Sequence, residues 1–287
     1  MINNRINNRK PIAFIPGNKF PAVTITGYSC RLMCDFCRGR YLKGMIPIKE
    51  PKELYDVAAK VWERGGKGLL ISGGFDEHGR LPIRPYLRVL KDIKVDFDLI
   101  VSIHPGFLER EVMVRLKECG VDVIDYEFAL NPLLLKHMHL NIQPNDVIKH
   151  FQELLKIGFK CVAPHVLLGL KGYISTWDIK AVNILSVFNP DLVVLLIFIP
   201  TKGTPLEAFS PPSVREVVSY VSYVAESLNN SEIALGCMRP IEYKKSLDKV
   251  LVSSKLIDRI ANPHKRLITE YDLPKIEACC SIPLDYL

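Results

Sequence analysis

The chain has 287 residues, 48% of them apolar and 24% charged, with a formal net charge of +7. That composition suits one large globular domain with a substantial core, or two small ones. Its longest apolar run, Leu192 to Pro200, has the length of a buried strand and is too short to span a bilayer. Residues 1–10 are polar and basic and lack the apolar stretch of a secretory signal, so a cytoplasmic protein is expected. The surplus of cations reads as a mildly basic surface or, more sharply, as a face that docks an acidic carrier protein or a nucleic acid.

In chain order, apolar β-branched runs predict strands at Ala22–Thr26, Gly68–Ser72, Leu99–His104, Val121–Phe128, Val162–Leu168, Leu192–Ile199, Glu232–Cys237 and Arg259–Ala261. Helical spacing follows each of them. Lys52–Arg64 puts Leu54, Val57, Ala58 and Val61 on one face. Asn145 and Asp146 signal a cap before Val147–Ile157, Gly158 closes that helix, and Ser213 precedes Val214–Leu228. Eight strand–helix units in about 250 residues predict an α/β fold, a TIM-like (β/α)8 barrel. A six-unit open barrel with a C-terminal extension is the alternative. Residues 1–287 read as a single domain, with 1–20 as an N-terminal extension and 274–287 as a tail bearing a Cys-Cys pair. Chemistry in such folds collects at the C-terminal ends of the strands.

Cysteines stand at 30, 34, 37, 119, 161, 237, 279 and 280. In a reducing compartment clustered cysteines read as metal ligands rather than disulfides, whereas Cys119 and Cys161, alone in apolar segments, read as small buried residues. Cys30, Cys34 and Cys37 follow the first strand within Tyr28-Ser-Cys-Arg-Leu-Met-Cys-Asp-Phe-Cys-Arg-Gly-Arg40. Three thiolates on one short loop hold three corners of a cubane cluster and leave the fourth iron open. A zinc site would want a fourth Cys or His at characteristic spacing, and none lies nearby.

This spacing, with the aromatic Phe36 before the last cysteine, resembles the signature of the radical S-adenosylmethionine (SAM) superfamily. The resemblance implies a 4Fe-4S cluster on Cys30, Cys34 and Cys37 as the catalytic centre. Its open iron would chelate SAM, and one-electron reduction would release a 5′-deoxyadenosyl radical that abstracts hydrogen from substrate. Further site residues follow from the same resemblance. Ser72-Gly73-Gly74-Phe75 is similar to the glycine-rich segment that contacts the methionyl amine, with Phe75 in place of the usual acidic residue. Glu127 sits where relatives place a ribose contact, Leu168 lies in a segment that resembles the adenine-packing strand, and Pro200 belongs to Ile197–Glu207, which resembles the sixth-strand segment of biotin synthase.

Cys237 ends the seventh predicted strand, and Cys279 and Cys280 lie in the tail. Residues Lys275–Ile282 are long enough to run up the barrel wall and bring these thiols to Cys237, which predicts a second 4Fe-4S cluster with Arg239 or Ser281 near its remaining iron. Gly236–Pro240, Asp258–Pro263 and Glu277–Cys280 resemble the small subunit of the split, two-protein lipoyl synthase, within the biotin synthase-like group. That resemblance implies sulfur insertion into an octanoyl chain on a lipoyl carrier protein, a paralogous radical SAM subunit as partner, and an electron donor such as ferredoxin or flavodoxin. The competing readings are a mutase or ring-forming enzyme related to methylornithine synthase, and a non-catalytic metal-binding scaffold. RNA methylthiolation ranks low without an appended RNA-binding domain. His104 and His165 read as packing residues, Asp76, Glu77 and His78 as solvated, and Arg40 and Tyr41 as shielding or partner contacts.

Overall fold

The computed structural model describes residues 10–287. Strands form at Ile12–Phe14 (β1), Ala22–Thr24 (β2), Ile46–Pro47 (β3), Gly68–Ser72 (β4), Ile100–Ile103 (β5), Val123–Glu127 (β6), Cys161–Leu168 (β7), Leu192–Ile197 (β8), Glu232–Leu235 (β9), Arg259–Ala261 (β10) and Lys275–Ile276 (β11). Helices cover Pro51–Glu63 (α1), Leu87–Asp96 (α2), Arg110–Glu118 (α3), Pro132–His137 (α4), Pro144–Ile157 (α5), Thr176–Phe188 (α6), Val214–Ser227 (α7), Leu247–Ser253 (α8) and Lys265–Tyr271 (α9). All eight predicted strands are present as β2 and β4–β10.

Every strand pairing is parallel, in the order β11-β1-β10-β9-β8-β7-β6-β5-β4-β2-β3. The result is a curled sheet sheathed by helices, a partial (β/α)8 barrel whose edges, β3 and β11, do not pair. The stretch expected to be an N-terminal extension contributes β1, which slots between β10 and β11. Pairing with β10 and β11, both distant in sequence, holds these residues extended.

Helix ends follow local chemistry. Ser213 accepts from the Glu216 amide (3.2 Å) while the Glu216 carboxylate accepts from the Ser213 amide (2.9 Å) at the start of α7. For α5 the structure corrects the cap: the helix begins earlier, with Pro144 in its first turn, and Asp146 reaches back to the Gln143 amide (2.9 Å). Gly158, at φ 75°, closes it as expected.

Strand periodicity divides the buried residues into two sets. A larger core fills the space between sheet and helices. A smaller one, with Phe14, Val123, Cys161, Ala163, Val194 and Ala234, lines the barrel interior. The tail completes the second set. After β11 it turns inward, and Ala278, Cys280, Ser281 and Ile282 are buried among those strands. Arg259 secures it, its guanidinium donating to the carbonyls of Cys280 (3.0 Å) and Ile282 (2.5 Å) while pairing with Glu232.

Arg259→Leu leaves both tail carbonyls and Glu232 without their donor. It is expected to lower unfolding free energy by about 3 kcal/mol, read from urea midpoints, and to open Lys275 to trypsin under native conditions. Unchanged midpoint and cleavage would show that apolar packing alone seats the tail.

Candidate functional site

The loop from β2 to β3 carries the cysteine triplet. The Cys34 carbonyl accepts from the amides of Cys37 (3.1 Å) and Arg38 (2.9 Å), folding the loop so that the two thiols meet. The hydrogen bond between them drives the Cys34 thiol well above its ordinary pKa and lowers Cys37 to about 7. One member of the pair is therefore close to thiolate at neutral pH, the form that binds iron. Cys30 adds to the charge felt by Cys34. Among the described residues no three His, Cys, Asp or Glu side chains converge as a metal set, the triplet included. The fit to a cluster rests on donor chemistry and on the shared loop.

Two contacts aim that loop. On one side it lies against the glycine turn after β4. Arg31 and Leu32 amides donate to the Phe75 carbonyl (2.8 and 3.3 Å), and the Phe75 amide donates to the Cys30 sulfur (3.4 Å). Thr26 bridges the two segments, its hydroxyl accepting from the Gly74 amide (2.6 Å) and donating to the Ser29 carbonyl (3.0 Å). A Cβ on Gly74 would fall 1.8 Å from the Ser29 carbonyl and 2.5 Å from the Cys30 Cα. On the other side, Asp35 sits between His137 and His139, 3.0 Å from each, and its amide donates to the His137 carbonyl (2.8 Å). Burial pushes the Asp35 carboxyl up, but the two imidazoles hold it below its ordinary value. Arg40 donates to the Gly203 carbonyl (3.3 Å) and Tyr41 pairs with Thr201 (2.8 Å). The two side chains read as shielding or partner contacts thus bind the loop to the turn that Pro200 opens.

Inward positions of three adjacent strands form a polar wall. Ser102 and His104, Asp125 and Glu127, and His165 alternate with residues of the outer core, as period two requires. The Ser102 hydroxyl donates to Asp125 (2.6 Å), whose other oxygen lies 3.9 Å from His165 Nε2 and has no hydrogen-bond partner. His104 and His165 stack at 6.0 Å, and burial with the neighbouring imidazole pushes His104 down to about 4. Glu127 Oε1 is buried without a partner, and burial raises the carboxyl to about 7. It lines a cavity of about 40 Å³ with Leu32, Phe75, His104 and Met138, where the cysteine loop meets the strand ends. Orphaned buried polar atoms cost about 1–3 kcal/mol each, so this wall is built to face a polar ligand. His104 and His165 pack as expected, stacked on each other, with His104 Nε2 left without a hydrogen-bond partner. Asp125 was not legible as a site residue, and its signal was its two-residue offset from Glu127.

The other expected residues fall around this chamber. Ser72 is buried and its carbonyl accepts from the Ile25 amide (3.0 Å), Phe36 is buried, and Gly73 faces Thr26 and Leu81. Leu168 is buried at the end of β7 and Pro200 half-buried after β8. Asp76 accepts from the amides of His78 and Arg80 (2.9 Å each), closing its own turn, and Glu77 pairs with Arg31 (3.4 Å).

The second cysteine set lies near the barrel interior, its thiols within electrostatic reach of one another but, among the described residues, not converged as a metal set. Cys237 is exposed, Cys279 half-buried and Cys280 buried. Burial and the nearby Cys279 push the Cys237 thiol up, and Cys279 shares a hydrogen bond with Cys280. Ser281 donates to the Cys279 sulfur at 3.3 Å. Arg239 is not available to these thiols. Its guanidinium is buried in a bidentate pair with Asp248 (2.8 and 2.7 Å) and donates to the Gly236 carbonyl (2.6 Å). Cys161 is buried, 4.0 Å from the Ser281 carbonyl, and Cys119 is half-buried, donating to the Leu87 carbonyl (3.1 Å).

The molecule is a partial parallel barrel that carries a three-cysteine loop at its C-terminal rim, with orphaned acceptors beside it. The Radical SAM superfamily matches residues 24–173, and the chain belongs to that superfamily. It is 23% identical over 199 residues to the 3-methylornithine synthase of Methanosarcina barkeri, covering 67% of this chain and 55% of that protein. It is 22% identical over 203 residues to the biotin synthase of Thermotoga neapolitana, covering 67% and 70%. Among solved structures, methylornithine synthase matches with a TM-score of 0.65 at 17% identity, covering 91% of this chain and 74% of that one. The FeFe-hydrogenase maturase of Carboxydothermus hydrogenoformans gives 0.66 at 15%, covering 88% and 58%. The chain thus spans about half the length of the first sequence relative, and the structural likenesses establish the fold. The family implies a 4Fe-4S cluster and SAM. No helix among the described residues is long and apolar enough to cross a membrane.

Gly74→Ala would force the Cys30 segment away and is expected to lose most iron on anaerobic reconstitution. Gly73→Ala, whose Cβ would come no closer than 3.0 Å to Leu81 and 3.1 Å to the Thr26 hydroxyl, is expected to retain most of it. Equal iron in both variants would show that the close approach does not position the loop. Glu127 offers a second check. Its carboxyl titrates near 7 rather than 4.5, so between those values the folded apoprotein keeps a proton that the unfolded chain has released. Stability should fall as pH rises through that window. Glu127→Gln is expected to raise the melting temperature more at about pH 8 than at about pH 5, and an equal gain at both would reject a buried ionisable carboxyl here.

Proposed function

We propose that this protein is a radical SAM enzyme that abstracts hydrogen from an unactivated C–H bond held inside the barrel. The observation that carries the reading is the unpartnered Glu127 carboxylate oxygen, buried beside the Cys30 loop. A bound cluster and SAM would supply one-electron cleavage of the sulfonium and, through it, hydrogen abstraction. The chain's own residues provide the setting. Cys30, Cys34 and Cys37 would hold three irons, and Glu127 would accept from ribose hydroxyls. Ser72 and Gly73 would flank the methionyl end, and Leu168 and the turn at Pro200 would flank adenine. Phe75 and Leu32 seal the cavity and keep bulk water from the reacting groups.

The relatives support a reaction without sulfur insertion, since two of them carry the name 3-methylornithine synthase. A second reading draws support from Cys237, Cys279 and Cys280, whose thiols influence one another electrostatically. It is sulfur insertion into an octanoyl chain on a lipoyl carrier protein, with a second 4Fe-4S cluster on those thiols and a paralogous radical subunit as partner. Ser281, already bonded to Cys279, stands nearer to such a cluster than Arg239 does. Ferredoxin or flavodoxin would deliver the electrons in either case.

Anaerobic reconstitution tests both. Four irons per chain and reductive formation of deoxyadenosine, both lost in Cys30→Ala, are expected of any radical SAM enzyme, and one zinc without SAM cleavage rejects the proposal. Eight irons, falling to about four in a Cys237→Ala/Cys279→Ala variant that still cleaves SAM but adds no sulfur to an octanoylated carrier, selects sulfur insertion. Full turnover by that variant selects the rearrangement.

A further inference from the structure

Between the second and third cysteines stands an anion whose surroundings are built around its charge. Asp35 follows Cys34 directly and precedes Cys37 by two residues. Its carboxylate meets His137 Nδ1 on one oxygen and His139 Nε2 on the other, each at 3.0 Å, with Arg38 3.5 Å from the latter oxygen. A carboxylate only accepts, so each imidazole presents an N–H to it. Burial works to raise the carboxyl, but the imidazoles outweigh it and hold the group below its ordinary pKa, ionised at neutral pH.

The main chain is fixed as well. The Asp35 amide donates to the His137 carbonyl (2.8 Å), the Asp35 carbonyl accepts from the Leu206 amide (3.3 Å), and the Cys34 thiol donates to the Met138 carbonyl (3.9 Å). Residues 137–139 thus grip residues 34 and 35 from one side. The His137 ring in turn rests edge-on against Phe209, with centroids 6.3 Å apart. Met33, Arg38 and His139 hold left-handed backbone, at φ 46°, 48° and 59°, a region costly for residues with a Cβ. Arg38 and His139 are both partners of Asp35, so strain is borne where it brings donors to this carboxylate.

Fastening alone does not ask for a charge. A neutral amide or hydroxyl would hold the loop, and Thr26 and Phe75 already fix its other side. Nor is the trio a metal site, since among the described residues no three His, Cys, Asp or Glu side chains converge as a metal set. What a fixed anion does beside a cluster is electrostatic. Charge and hydrogen bonding around an iron–sulfur group set its reduction potential, and a neighbouring negative charge opposes the uptake of an electron.

We propose that Asp35 is a positioning residue whose fixed carboxylate holds the reduction potential of the triplet's cluster low, with His137 limiting how far. The proposal rests on the cluster-binding reading of Cys30, Cys34 and Cys37 above. A low potential suits one-electron cleavage of a sulfonium, which needs a strong reductant.

The test is a redox titration of anaerobically reconstituted protein without SAM, followed by electron paramagnetic resonance of the reduced cluster, with iron counted in every sample. Asp35→Asn removes the charge and keeps the shape. It is expected to hold about four irons and to raise the reduced-to-oxidised ratio at a fixed poise about tenfold, a shift of about 59 mV for one electron. His137→Phe keeps a ring against Phe209 but removes a donor from the carboxylate, and is expected to move the potential the opposite way. Asp35→Glu is expected to keep most of the wild-type value. A merely structural clasp would not produce opposite shifts: loosening the loop would cost iron in both variants and leave the potential of the remaining clusters in place. A loaded Asp35→Asn protein with the wild-type potential overturns the proposal, as do shifts of one sign in Asp35→Asn and His137→Phe. Where Asp35→Asn cannot be loaded, His137→Phe decides, and an unmoved or raised potential overturns the proposal. Wild type that takes up no iron overturns the cluster reading as well.

Discussion

The approach of two backbone segments, Ser29-Cys30 and Gly74, fixes the working geometry of this barrel. A loop of some twenty residues between β2 and β3 has no regular structure of its own beyond a short 3-10 turn. Without an anchor it would scatter its three thiols over many positions. The missing Cβ at Gly74 lets the loop settle onto the end of β4, and three hydrogen bonds to Phe75 then set Cys30. From there Asp35 and Arg40 extend the attachment to α4 and to the turn after β8. The loop is thus fastened to three points of the rim, and the thiols inherit the rigidity of the sheet.

This constraint gives the glycine pair a meaning its sequence did not separate. A resemblance to a methionyl-binding segment assigned both glycines to ligand contact. In the structure the space beside Gly74 belongs to the cysteine loop, and the loop's approach is itself the reason for a residue without a side chain. The eight strands read from the sequence were legible because each lies in an apolar run followed by a helical pattern, and β1, β3 and β11 were not, because partners distant in sequence create them. Cys30, Cys34 and Cys37 were legible from spacing alone. Asp125 was harder to see: its two-residue offset from Glu127 puts both carboxylates on one face, but only the curled sheet brings that face to His165 and Ser102.

The polar wall and the thiols share one enclosure because period two governs both. Positions 125 and 127, and 161, 163 and 165, point inward with Val194 and Ala234, so small or polar side chains line the cavity while bulky ones fill the outer core. An interior lined with Leu or Ile at these positions would pack solid. Alanine at 163, 234 and 261 leaves room, and the tail enters from one side to use part of it.

How the tail uses that room bears on what its cysteines are for. Ala278 and Ile282 are fully buried and, with the Arg259 hydrogen bonds to the Cys280 and Ile282 carbonyls, account for the seating of the segment. Packing therefore requires no thiol at 279, and a half-buried sulfur held by the Ser281 hydroxyl is a poor filler of apolar space. Cys280 is buried and does pack, yet both it and Cys279 lie near enough to exposed Cys237 for the thiols to influence one another. A segment that needed only to close the barrel would carry alanine or valine at both places. The vicinal pair, in the turn beyond β11, instead keeps one sulfur buried and leaves the other half-buried against the Ser281 hydroxyl.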